Sequence, residues 1–439
     1  MKKNFVIVIG LVAVLIMGNV VNAATMTKVA ENHSWGCQRP MATGLYDEVS
    51  DKTFIVWNGP EMDIYVRTYD HSTSTWGGEA KIADLDMIGK WDYHNYPAMI
   101  LAPNGKLQVY YNRHSKKAFM LEAPNTHSID GQWSLKEISN DLNCYPMPVV
   151  ADDDIYFFYS KNNKVSYPYR TFRYIKSTDN GVTWSNPVTV IDSGKNDSNK
   201  FDEVYAKQVK YDAVNNRLYM TWQMAGGEYG HNKQSKDLHM AYLNLNNNKM
   251  YGIGDIGCGN IVNYSDFANT IVFDSEPGTP NMGYGPAHNL NGGVFSWIGN
   301  KPVIAIGYDN VMGDDSSKTY FYKWTGTQWN VSTISSISSK VLDMDRLGNY
   351  WDDFRFLIAS STVENGIDVF KTNNGGGSFA LDDSFILPLD NGATRANYIT
   401  FIDDASPSSD VEVIWAECGP TDPNNYTRGI WSVYTSTID

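Results

Sequence analysis

An all-β chain arranged as a seven-bladed β-propeller is predicted by three features of the sequence. The first is Ser177-Thr178-Asp179-Asn180-Gly181-Val182-Thr183-Trp184, a full Asp-box of the form S-x-D-x-G-x-T-W. Such a box is a turn between antiparallel strands: Asp and Gly shape the backbone and Trp packs beneath. The second is loose repetition. Degenerate copies stand at Tyr69-Asp70 to Trp76, Asp130 to Trp133, Trp324 to Trp329 and Asn373 to Phe379, and the clear ones recur roughly every 50 to 60 residues, a spacing suited to propeller blades. The third is composition: 28 Tyr, 13 Trp and 36 Gly among 439 residues, without long helical periodicity, favour many short strands joined by polar turns.

The elements follow in order. Lys2 and Lys3 precede an apolar run from Phe5 to Met17, and Val21-Asn22-Ala23 fits a small-residue cleavage site, so residues 1–23 are expected to be a signal peptide. No cysteine stands at the end of the apolar run to take a lipid anchor, no later segment is apolar enough to span a bilayer, and an exported protein, secreted or periplasmic, is expected. Residues 24–439 are expected to form a single domain with blades at about 35–85, 90–138, 143–192, 203–262, 283–335, 348–388 and 394–437, the segment after Ala24 adding a strand to the last. Stretches such as Ser193 to Lys200 read as loops. The net charge of −14 argues against non-specific nucleic-acid binding; a monomer without membrane contact is expected. Cys37, Cys144, Cys258 and Cys418 are too few and too dispersed to define a disulfide framework.

Chemistry concentrates in two consecutive hairpins. Asp92-Tyr93-His94-Asn95-Tyr96-Pro97 and Val109-Tyr110-Tyr111-Asn112-Arg113-His114 flank a strand–turn–strand segment with Pro103-Asn104-Gly105 at its bend, so the hairpin can bring both imidazoles into one site. Cys144-Tyr145-Pro146 opens a second hairpin that ends at Tyr159-Ser160-Lys161. Two His, one Tyr and one Lys make an acid/base and charge-neutralising set. A histidine in a strand is more often structural, but this pairing exceeds what packing requires. The Asp-boxes themselves stabilise hairpins and carry no chemistry.

The run from His94 to His114, and the run from Tyr145 through Asp154-Ile155-Tyr156-Phe157-Phe158-Tyr159 to Arg170-Thr171-Phe172-Arg173-Tyr174, resemble the BNR-type repeat of propeller polysaccharide lyases, the ulvan lyases of families 24 and 25. The similarity is strongest from about residue 90 to 245. In that group two His lie twenty positions apart, followed by a Tyr and an Arg sixteen apart. His94 and His114 match, as does Tyr145, but Lys161 stands where the family has Arg. Lys offers a point charge in place of a planar fork, so either Lys161 substitutes or Arg170 or Arg173 reaches in from the next strand.

The resemblance implies β-elimination on a uronate. The C5 proton is weakly acidic, so a cation must neutralise the carboxylate, a base must take the proton, and an acid must serve the O4 leaving group. Tyr145 is the expected base, His114 and Lys161 the neutralisers, and His94 a positioning or acid/base group, with the His and Tyr roles open to exchange. Asn95, Arg113, Arg170, Arg173 and Lys207 are expected to contact an anionic polysaccharide. The resemblance also implies a structural zinc on His231, His239, Cys258 and Cys418, although the spacing His231 to His239 is not standard; calcium on Asp152-Asp153-Asp154 or Asp314-Asp315 is left open. Rival readings are an exo-acting rhamnose–glucuronate lyase, an α-L-rhamnosidase or other hydrolase, which would want paired carboxylates, a sialidase, for which arginine is too sparse, and a non-catalytic carbohydrate-binding propeller.

Overall fold

The computed structural model describes residues 26–33, 42–59, 62–84, 96–112, 116–164, 168–194, 203–226, 236–274, 290–308, 318–336, 340–346, 352–360, 363, 365–388, 395–405, 410–418 and 431–438. Apart from one short 3-10 helix, Tyr264–Asn269, the regular elements among them are strands. The all-β reading therefore holds.

The seven-bladed arrangement does not. The described strands form five hydrogen-bonded sheets, none closed on itself, and one of them contains fourteen strands. The segments expected to be separate blades at 90–138, 143–192 and 203–262 are joined in that large sheet. The cause is continuity of pairing. The strand Ser134–Ala151 runs for eighteen residues, pairing antiparallel with Lys116–Thr126 through its first half and with Asp154–Lys164 through its second. A parallel bridge from Arg170 to Glu203, and another from Ile191 and Asp192 to Val262 and Asn263, carry the hydrogen bonding onward. Repetition in a sequence specifies hairpins, but it does not specify where one sheet's hydrogen bonding stops.

The other sheets are antiparallel meanders. Ala42–Asp47, Lys52–Asn58 and Ile64–Asp70 lead one; Leu290–Ile298 through Trp329–Ser335 form a second; Val341–Arg346 through Ala380–Ile386 form a third. In the fourth, Met26–His33 pairs antiparallel with Trp431–Ser436, next to Val413–Cys418 and Arg395–Phe401. Middle strands such as Lys52–Asn58 and Arg217–Ala225 are buried at almost every position, whereas in the outer strand Trp329–Ser335 only Ile334 and Ser335 are buried. Burial on both faces explains the continuous apolar runs of the middle strands. One apolar layer joins Phe54 and Val56 to Leu107 and Val109; another joins Val303 and Phe321 to Phe354 and Phe356 of the next sheet. Trp57, Trp222 and Trp415 are fully buried in such layers, each side chain contributing about 1.5–3 kcal/mol by leaving water.

The Asp-box forms the turn expected of it. Ser177 donates to Asp179 Oδ1 at 2.8 Å, and Asp179 accepts from the Thr183 amide at 2.8 Å and from its hydroxyl at 2.5 Å. These bonds hold the Asp179 carboxyl down to about 2. Gly181 has φ +86° and directs its amide to Ser177 Oγ at 2.8 Å. Thr372-Asn373-Asn374 repeats the pattern with an amide in place of the carboxylate: Thr372 donates to Asn374 Oδ1, which accepts from the Ser378 amide.

Candidate active site

Two charged clusters occupy opposite faces of one strand pair. Asp154–Lys164 and Pro168–Ser177 are antiparallel, with Asn162 opposite Arg170, Lys161 opposite Thr171, and Tyr159 opposite Arg173. Side chains alternate along a strand, and directly opposed residues share a face. Arg170 and Asn162 therefore stand on one face, and Tyr159, Lys161 and Arg173 on the other.

On the first face Arg170 is 2 % exposed and its partner Glu203 1 %. Arg170 Nε lies 3.1 Å from Glu203 Oε1, and Nη1 donates to the Tyr145 hydroxyl at 3.1 Å. The guanidinium also lies 4.8 Å from the Tyr205 ring centre and 5.6 Å from that of Tyr145. Burial opposes its charge, but the neighbouring Tyr145, Tyr205, Glu203 and Cys144 outweigh that and raise its pKa. Tyr145 sits where pairing slips between Cys144 and Met147, with φ +64°. A tyrosine in the left-handed region carries strain of about 1–3 kcal/mol, which persists only where its surroundings fix it. The slip turns the phenol toward Arg170. Glu203 and Tyr205 share a face of Glu203–Asp212.

On the second face Asp141 is the hub. It accepts from the Tyr159 hydroxyl at 2.7 Å and from Lys161 at 3.1 Å, and it pairs with Arg173 at 3.3 Å. Burial alone would raise the Asp141 carboxyl, but the bonds from Tyr159 and Lys161 and the charge of Arg173 hold it below the ordinary range. Lys161 is thus committed to Asp141, on the face opposite Arg170, and is not beside Tyr145. Lys207 is half-buried, its stem against Gly293. His94, Asn95, Arg113 and His114 lie outside the described residues.

A further acidic group lies around Lys210. Asp343 and Asp345 come from Val341–Arg346, and Asp403 and Asp404 follow Arg395–Phe401. Burial, offset by Lys210, raises Asp343 to about 6; Asp403, solvent-exposed but crowded by surrounding atoms and by the carboxylates of Asp404, Asp343 and Asp345, is also raised, with Lys210 opposing. Asp343 Oδ2 accepts from the Phe401 amide at 3.0 Å, tying two sheets together.

The zinc expectation is overturned. Among the described residues no group of three or more His, Cys, Asp or Glu side chains could hold a metal ion. His239 is 1 % exposed, stacked on Trp222 with ring centres 5.1 Å apart, and its Nδ1 is 2.9 Å from Thr270 Oγ1. The Cys258 thiol is directed to the Ile256 carbonyl, and burial pushes its pKa up, away from the thiolate a metal needs. Cys418 ends its strand opposite Arg395, and His231 lies outside the described residues. Calcium on Asp152 to Asp154 fails on the same ground: Asp152 accepts from Tyr211 and Asp154 pairs with Lys176. Asp314 and Asp315 lie outside the described residues.

Sequence reasoning missed Glu203 and Asp141. Glu203 was findable, because Glu203-x-Tyr205-x-Lys207 places an acid and an aromatic on the same strand face as the candidate Lys207. Asp141 lies in a polar stretch that reads as a loop and gave no signal.

The fold and this site define an all-β protein with a buried Tyr–Arg–Glu cluster, and comparison narrows the class. Residues 52–337 match the description "BNR repeat-containing family member", and the chain belongs to that family. It is 23 % identical over 396 residues to "Ulvan Lyase-PL25" of Pseudoalteromonas sp. (strain PLSV), spanning 83 % of this chain and 78 % of the relative. An ulvan lyase of Alteromonas sp. (strain LOR) is 26 % identical over 225 residues, 45 % of each chain. The solved structure of a PL25 ulvan lyase bound to -[GlcA(1-4)Rha3S]- aligns with TM-score 0.72 and 18 % identity over 94 % of this chain and 96 % of that one. A lectin from Burkholderia pseudomallei aligns at 0.55 with 10 % identity over 91 % and 97 %. The resemblance read from the sequence is corrected to this family level, without the seven-bladed arrangement attached to it. No helix among the described residues is long and apolar enough to cross a membrane.

Proposed function

We propose that the protein is a polysaccharide lyase that cleaves an anionic, uronate-containing polysaccharide by β-elimination. The relatives named as ulvan lyases support the class, and ulvan is the first substrate to try. The finer reading has cleavage at rhamnose–uronate linkages, leaving an unsaturated uronate end, with residues 1–23 directing export. The observation that carries the mechanism is the hydrogen bond from Arg170 to the Tyr145 hydroxyl in a buried setting. Tyr145 takes the C5 proton. Arg170, rather than Lys161, is the cation that shares the space in which negative charge develops, because it lies against the phenol and Lys161 does not. A preorganised cation in a water-poor site acts more strongly on developing charge than one in solvent. His94 and His114 complete the set as neutralising and leaving-group residues.

Elimination creates a conjugated C4=C5 double bond, so ultraviolet absorbance during incubation with ulvan tests the reading. The expected result is a rise that Tyr145→Phe reduces by at least about 10²-fold while thermal melting stays near the wild-type value. Reducing ends without absorbance would replace the lyase reading with a hydrolase. Neither signal on any uronate polymer would leave a binding protein, the role of the lectin that shares the fold.

A further inference from the structure

Glu203 is among the most buried charged groups described. A buried ion pair costs desolvation that its attraction barely offsets, so its retention calls for a reason beyond stability. Its surroundings supply one. Gly226, at φ +78°, lies so close that an added Cβ would stand 2.3 Å from Glu203 Oε2 and 2.6 Å from its Cγ. The glycine thus opens a seat for the carboxylate. From it, Oε1 takes Arg170 Nε at 3.1 Å, and the tyrosine hydroxyl of Tyr205 lies 3.5 Å from the same oxygen. With Nε held by Glu203 and the Tyr205 ring 4.8 Å from the guanidinium, Nη1 reaches the Tyr145 oxygen at 3.1 Å.

We infer that Glu203, seated against Gly226, is a positioning residue that aims the Arg170 guanidinium at the Tyr145 hydroxyl. The inference rests on the lyase reading of Tyr145 and Arg170 and adds to it the device that orients them. Among the described residues, the titratable and charged groups facing the guanidinium are Tyr145 and Cys144 from Ser134–Ala151, and Glu203 and Tyr205 from Glu203–Asp212.

Gly226→Ala tests this without removing any charge: it crowds the Glu203 side chain and, at φ +78°, also strains its own backbone, so it is read together with the Glu203 variants. The expected result is a folded enzyme with kcat lower by about 10²-fold, the cost of a displacement near 1 Å, and KM little changed, because the lost interaction belongs to the transition state. Glu203→Gln keeps an acceptor for Nε and should retain most of kcat, whereas Glu203→Ala should not. Combining Gly226→Ala with Glu203→Ala should add little to either alone, as for two steps in one relay. Full kcat in folded Gly226→Ala, or additive losses in the double variant, overturns the inference. A crystal structure of Gly226→Ala reads the same point without substrate: Arg170 Nη1 should leave the Tyr145 oxygen, and an unmoved guanidinium refutes the positioning role. If the wild-type protein eliminates no uronate polymer, the lyase reading falls, and this crystallographic result still decides the role of Glu203.

Discussion

Arg170 and Arg173 stand three residues apart on one strand and have opposite fates. Arg170 points to a buried face, where it meets one carboxylate and two tyrosines. Arg173 points to a partly open face and shares Asp141 with Lys161 and Tyr159. Strand alternation alone sets this difference. The lesson is that a count of positions along a chain identifies a cation's face only when every bulge is known. A spacing of sixteen leads from Tyr145 to Lys161, but the pairing slip at Tyr145 turns the phenol to the face that Arg170 occupies.

Removing each cation should break the comparison most sharply. Arg170→Ala leaves Glu203 buried without its guanidinium and should cost about 3–5 kcal/mol in urea unfolding, along with activity. An Arg170→Ala protein as stable and active as wild type would remove the buried face from the mechanism. On the open face, Asp141→Ala strips one carboxylate from three donors and should cost about 1–3 kcal/mol through the lost hydrogen bonds of Tyr159 and Lys161. Lys161→Ala should cost less than about 1 kcal/mol, since Asp141 keeps Tyr159 and Arg173, and should leave the bond from Arg170 to Tyr145 intact. Loss of kcat in Lys161→Ala, with folding preserved, would restore the lysine to the site.

The carboxylates sharpen the contrast through pH. Asp141 is held below its ordinary range, so its stabilisation is complete above the unfolded pKa of about 3.9 and is lost as pH falls through the lower folded value. Asp343 and Asp403 run the other way. Their folded values, about 6 and about 7, mean that the folded chain binds these protons more tightly than the unfolded one. Their contribution is complete below about 3.9 and is lost as pH rises through 6 to 7. Melting temperature followed from pH 4 to 8 should therefore decline between about pH 4 and 7 and level off above that. Asp403→Asn should flatten the decline; an unchanged slope would remove Asp403 as its source.

Much of this was legible in residues and some was not. Ser177 to Trp184 announced its turn because each member makes the bond its type suggests. The apolar middle strands announced an all-β interior. The sheet boundaries were hidden, since Ser134–Ala151 carries the polar run Asn140, Asp141 and Asn143, within which Asn143 nevertheless pairs with both Lys116 and Lys161. Tyr145 and Arg170 were named as candidates, but their contact depends on a bulge that local pattern does not reveal. The metal set failed because His239 and Cys258 look like ligands in a list and are packed as aromatic and apolar side chains in space.

The antiparallel pairing of Met26–His33 with Trp431–Ser436 makes the two ends of the chain each other's shield. A protein shortened to begin after His33 would bare the backbone amides and carbonyls of Trp431–Ser436, a strand whose described side chains are almost all buried. Such an uncovered edge is a template for recruiting other chains. Loss of this one strand would thus register first as turbidity rather than as altered kinetics.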